Sequence, residues 1–87
     1  MSDRVDKKRL IKRVVQRTGR DEAVVTEVIE AALEEMVVAF KGGESVSLRN
    51  LGTFYVRQER SSTVFRFNPA QRLRNLFGWS SSYKGEL

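Results

Sequence analysis

The side chains best equipped for chemistry in this sequence are cations, and seven of the sixteen lie from Arg49 onward. Arg49, Arg57, Arg60, Arg66, Arg72, Arg74 and Lys84 are opposed in that stretch only by Glu59 and Glu86. A guanidinium is a planar fork that bonds phosphate oxygens bidentately and fits a narrow groove, so the chemistry on offer is anion recognition rather than bond making. The sequence contains no Cys and no His, which removes disulfides, thiolate nucleophiles, Cys/His metal sites and every Ser–His or Cys–His dyad. There is no Gly-rich phosphate loop carrying a Lys. Glu27, Glu30 and Glu34 share a helical spacing that a metal or a catalytic acid would use, but they lie opposite a continuous apolar stripe and read as a solvated face. No enzyme, no cofactor and no metal are expected.

Charge is partitioned along the 87 residues. Residues 1–20 sum to +6, residues 21–48 to −6 and residues 49–87 to +5, so two basic surfaces bracket an acidic segment and the local field exceeds what the net +5 suggests. A pI near 10.1 favours an acidic partner such as nucleic acid or an anionic membrane surface. No apolar run approaches the roughly 18–20 residues of a membrane span, and Met1 to Arg9 lacks the apolar stretch of a secretory signal. A cytoplasmic, soluble chain without a membrane partner is expected. A chain this short buries only about 60% of its extended surface, and without covalent staples a dimer is the natural remedy.

These cations need elements to hold them. Leu10, Ile11, Val14 and Val15 predict a helix from about Asp6 to Thr18, capped by Asp3 or Asp6 and stopped by Gly19. Asp21 then caps a second helix, along which Val25, Val28, Ile29, Ala32, Leu33, Met36, Val37 and Phe40 keep a 3-4 spacing. That stripe is longer than the first helix can cover, which again points to a second subunit or a sheet. Gly42 and Gly43 end the helix. Val46 and Leu48, then Phe54 and Val56, then Val64 to Phe67 read as a three-strand meander interrupted at Arg49–Gly52 and at Ser61-Ser62. Asn68-Pro69-Ala70-Gln71 reads as a helix start, with Asn as N-cap, Pro at the first helical position and Gln closing a capping box. Leu73, Leu76 and Phe77 would face inward. The expected layout is a helical hairpin over 6–41, a sheet over 44–67, a short basic helix over 69–77 and a flexible tail over 79–87, all in one domain.

This order of elements, with Leu48-Arg49-Asn50-Leu51-Gly52-Thr53-Phe54, Lys8-Arg9-Leu10-Ile11 and the Arg17-Thr18-Gly19 hinge, resembles the HU/IHF family of bacterial histone-like DNA-binding proteins over residues 6–77. The heptapeptide is similar to the family's GFGTF-type turn, with Asn50 and Leu51 at the first Gly and the aromatic; Asn tolerates the positive φ that the first of these positions demands. The resemblance implies an α+β fold: a helical hairpin, a three-stranded antiparallel sheet and a short C-terminal helix, in an intertwined homodimer. It also implies a strand pair that extends in relatives as a long arm around the minor groove of duplex DNA. Here only seven residues separate Val56 from Val64, and the family's Arg-Asn-Pro arm tip, whose Pro wedges between base pairs, has no counterpart.

What remains for DNA is a basic stub of Arg57, Arg60 and Arg66, extended by Arg49, by Arg72 and Arg74, and by Lys84. Lys7, Lys8, Lys12 and Arg13 divide between flanking phosphate contacts and a helix face neutralised by the acids of the second helix. Phe54, Phe65, Phe67, Phe77 and Trp79 admit a single-strand stacking platform as well as core packing. Ser80-Ser81-Ser82, followed by Tyr83, could bond phosphates or belong to the flexible tail. The expected function is non-enzymatic, sequence-nonspecific binding of duplex DNA in a nucleoid-type or architectural role, with bending reduced by the short arm. The alternative is a structural dimer that has lost DNA binding and turns its basic stub toward a protein partner.

Overall fold

The computed structural model describes residues 4–78. Its elements run α1 (Lys7–Thr18), α2 (Glu22–Lys41), β1 (Val46–Leu48), β2 (Gly52–Glu59), β3 (Ser62–Pro69) and α3 (Gln71–Phe77). The expected flexible tail, with Trp79, Ser80 to Ser82, Tyr83 and Lys84, lies outside the described residues, as does Asp3.

Residues up to Glu35 form one compact unit. Asp6 caps α1, its Oδ1 accepting the Arg9 backbone N–H at 2.9 Å, which satisfies one of the donors that a helix start leaves open. Gly19 closes the helix at φ 71, its N–H donating to the Val15 carbonyl. The chain turns at once into α2, with the Asp21 carbonyl accepting the Val25 N–H at 3.0 Å. Ile11 and Val25 are the buried hydrophobics of this unit. Lys7 Nζ meets Glu30 Oε2 at 2.9 Å and Lys12 Nζ meets Glu22 Oε1 at 3.4 Å. Both pairs are half exposed and each contributes about 0–1 kcal/mol, so they set the register of the two helices more than their stability. Along α2, Val28, Leu33 and Val37 of the predicted stripe remain exposed, and so do Val24 and Val38, which lie off it.

Met36 onward forms the second unit. The last turn of α2 closes in a Schellman arrangement: Gly43, at φ 78, donates to Phe40, and Glu44 donates to the Ala39 carbonyl at 2.9 Å. The three strands pair antiparallel in the order β1-β2-β3. Val46, Leu48, Phe54, Val56, Phe65 and Phe67 share one face through the pairs Val46↔Phe54, Phe54↔Phe67 and Val56↔Phe65. Phe65 packs edge-on against Phe40 of α2 at 5.1 Å between ring centroids, and Phe54 packs on Phe67 at 4.7 Å. Phe67 is buried, whereas Leu48 and Phe65 on the same face stay partly open to solvent.

The expected helix start at Asn68-Pro69 is corrected. Both residues belong to β3, with Asn68 opposite Thr53 and Pro69 opposite Gly52. The N-cap is Ala70, which makes no side-chain capping bond, and Gln71 spends its side chain on Asn75 and Arg74 rather than on a capping box. Cross-strand pairing outweighs the local capping preference, and a Pro is tolerated at the end of an edge strand because its missing N–H costs the ladder nothing there. The sheet therefore runs over 46–69 and the helix over 71–77. Leu73 is half-buried, but Leu76 and Phe77 are 64% and 61% exposed rather than inward-facing.

Candidate nucleic-acid interface

The sheet's second face is polar. Alternation places Thr53, Tyr55, Arg57 and Glu59 of β2 on it, and the register adds Val64, Arg66 and Asn68 of β3 and Ser47 of β1. Thr53 Oγ1 donates to Ser47 Oγ at 3.1 Å across the strands at one end. At the other end the hairpin closes tightly: Glu59 pairs with Ser62, leaving only Arg60 and Ser61 in the loop. The interval from Val56 to Val64 is thus a stub paired up to its two-residue loop, with Ser62 already in β3. Arg60 takes φ 35 at the tip and is exposed.

Arg57 and Arg66 come together on this face around a single carboxylate. Arg57 Nε and Arg66 Nη2 each lie 3.5 Å from Glu59 Oε2. The Arg57 side chain is 63% exposed, as expected for the face opposite Phe54, whereas that of Arg66 is 26% exposed and its Nε is buried without a hydrogen-bond partner. Arg57 and Arg60 can therefore reach an external anion with little rearrangement, and Arg66 can offer only part of its fork.

The remaining expected contact residues are elsewhere. Arg49 is exposed in the β1–β2 turn, where Asn50 takes the positive φ of 71 that the sequence anticipates. Arg72 is exposed on α3. Arg74 is half-buried and donates from Nη1 to the Pro69 carbonyl at 2.6 Å and from Nη2 to Gln71 Oε1 at 2.7 Å, so its fork braces the junction of β3 and α3. That junction adjoins the β1–β2 turn, since the Ala70 N–H donates to the Leu51 carbonyl at 3.0 Å. Arg49 and the α3 cations thus stand at the foot of the hairpin, and Arg57, Arg60 and Arg66 stand toward its tip. Lys84 lies outside the described residues. Two polar side chains on the basic face, Tyr55 and Asn68, escape a search for cations; strand alternation from Arg57 and Arg66 is the signal that finds them.

The aromatic residues divide from the cations. Phe54, Phe65 and Phe67 occupy the opposite face and pack on one another, so no aromatic ladder from these three interleaves with the arginines as a stacking platform requires. Among the described residues there is no cluster of three metal-ligating side chains and no helix long and apolar enough to cross a membrane.

The sequence profile of the family described as bacterial DNA-binding protein matches residues 5–69, from the approach to α1 to the end of β3. Among solved structures, the chain is similar to HU from Thermotoga maritima, with 30% identity, a TM-score of 0.70 and coverage of 82% of this chain and 96% of that one. A valine-to-isoleucine mutant of the same HU superposes with a TM-score of 0.73 at the same identity and coverage. No curated protein sequence matches the chain.

Proposed function

The chain belongs to the family of bacterial DNA-binding proteins, and on that premise we propose that it acts as a non-enzymatic homodimer. It binds duplex DNA through phosphate and minor-groove contacts of the β2–β3 hairpin, with little sequence preference and little bending, at the nucleoid in the cytoplasm. The observation that carries this reading is the polar hairpin face on which Arg57 and Arg66 stand together beneath an exposed Arg60. Contacts of such cations to phosphate carry affinity without sequence information.

The tip of the hairpin supports weak bending. Kinking by minor-groove proteins uses an apolar wedge that unstacks a base step. The loop here is Arg60 and Ser61, flanked by Glu59 and Ser62, and the single proline of the chain, Pro69, is fully buried at the hairpin's foot. Neither the loop nor its flanks supplies a wedge.

Dimerisation is supported by the incomplete burial within one copy. An apolar groove of about 270 Å³ lies between α1 and the first half of α2, lined by Val14, Val24, Val25, Val28 and Ile29. With Val24 and Val28 of its lining half or more exposed, it supplies apolar surface of the kind that a two-fold interface buries.

Fluorescence anisotropy of a labelled duplex of roughly 20 base pairs, titrated at several salt concentrations, tests the reading. Saturable binding with a linear dependence of log K on log salt supports it, because neutralised phosphates release counterions in that proportion. Absence of binding at low salt would instead favour a structural dimer whose basic stub meets a protein.

A further inference from the structure

The acid on the basic face, Glu59, stands at the tip end of β2 within reach of two of its arginines. Arg66 stands opposite Tyr55, and Glu59 lies four residues farther along β2, yet the Arg66 side chain runs along the sheet to bring Nη2 to Glu59 Oε2. Arg57, two residues before Glu59 on the same face, turns its Nε to the same oxygen. One carboxylate oxygen thus draws two guanidiniums, groups that pair with carboxylate and phosphate oxygens alike. Arg60, next in sequence, is the tip cation.

We propose that Glu59 is an internal competitor for the DNA phosphate, lowering affinity by occupying Arg57 and Arg66 and orienting their side chains along the hairpin. This rests on the reading that the hairpin binds DNA. Of the two positive charges on this face below the tip, one is cancelled locally in each copy. Glu59 is a positioning residue: it touches no DNA itself and sets how much of each arginine's charge the DNA meets. Its 40% side-chain exposure leaves it accessible to solvent and to an approaching anion, so the competition takes place at the surface rather than in a sealed core. Arg66 reaches Glu59 with Nη2 while its Nε stays buried without a hydrogen-bond partner.

The test compares Glu59→Gln with Glu35→Gln, which changes net charge equally on α2, in the salt-dependent duplex titration. Glu59→Gln keeps the size and acceptor of the side chain and removes its charge. It is expected to tighten binding roughly three- to tenfold at low salt and to steepen the log–log salt slope by about 0.9 for each additional phosphate neutralised. Glu35→Gln should leave the slope unchanged. Arg57→Ala should cost more affinity in the Glu59→Gln background than in the parent, since the arginine is then fully available to DNA. A merely structural Glu59 would alter thermal stability without moving the slope. Should Glu59→Gln match Glu35→Gln while the parent binds, the competitor role is overturned and DNA binding stands. Should neither the parent nor Glu59→Gln bind at low salt, the DNA-binding reading itself fails and takes this inference with it.

Discussion

Gly52 sits so close to Phe67 across the β2–β3 ladder that a Cβ on the glycine would stand 2.6 Å from the ring. The same atom would lie 2.6 Å from the Asn68 carbonyl oxygen, and the residue's φ of 151 is itself one that side-chain-bearing residues rarely adopt. The buried ring of Phe67 and the crossing backbone therefore use the space that a side chain would fill.

Gly52→Ala is accordingly expected to destabilise the fold by about 3 kcal/mol, from backbone strain combined with overpacking. Urea unfolding followed by circular dichroism measures it. A loss below about 0.5 kcal/mol, the range of ordinary surface substitutions, would mean that the Phe67 ring can yield and that the contact is not a constraint.

At the other end of the chain, Asp6→Ala removes the acceptor of the Arg9 N–H and should cost about 1 kcal/mol, with Asp6→Asn or Asp6→Ser restoring most of it. Thermal melts of the three variants check this. An alanine variant that melts at the parent's temperature would show that the cap contributes nothing.

The DNA contacts can be tested by substitution at the tip. Arg57→Ala with Arg60→Ala, and the triple variant that adds Arg66→Ala, should weaken binding to unrelated duplexes alike. Each lost phosphate contact should make the salt slope shallower by about 0.9. Arg74→Ala should act mainly on stability, because its guanidinium is bonded to Pro69 and Gln71. If the triple variant binds as the parent does, the interface lies elsewhere on the molecule.

Val28 is 60% exposed in a single copy. In a monomer Val28→Asp would change stability by no more than about 0.5 kcal/mol, but in a homodimer it would place a charge in an apolar interface. Sedimentation equilibrium is expected to show a dimer for the parent and a monomeric or unfolded chain for the variant. The parent's melting temperature should rise with protein concentration, as linkage to association requires.

End-to-end energy transfer across a duplex of about 30 base pairs, less than the DNA persistence length of roughly 150, should change little on saturation. A large shortening would show that the stub bends DNA without a wedge.

How far each feature could be read in advance follows from how local its cause is. The two helices and their ends were legible because the 3-4 spacing from Val25 to Phe40, the Asp6 carboxylate and the positive φ at Gly19 and Gly43 act within a few residues of chain. The turn at Asn50 was legible for the same reason, as was the exposure of Arg57 once Phe54 was taken as core. Asn68-Pro69 misled because its capping grammar is also local, while the force that decided its fate came from Gly52 and Thr53 on a neighbouring strand.

By itself, then, the sequence determined the element order, the Asp6 and Gly19 caps of α1, the alternation that separates the aromatic face from the basic one, and a charge pattern suited to an anionic partner. These depend on periodicity and on single-residue backbone preferences. Only the tertiary structure decided that β2 and β3 pair up to a two-residue loop, that Arg57 and Arg66 converge on Glu59, that Arg74 braces the foot of α3, and that Leu76 and Phe77 stay exposed. Each of these depends on cross-strand register or on packing against a residue distant in sequence, whose energy is set by both partners together and is written in neither alone.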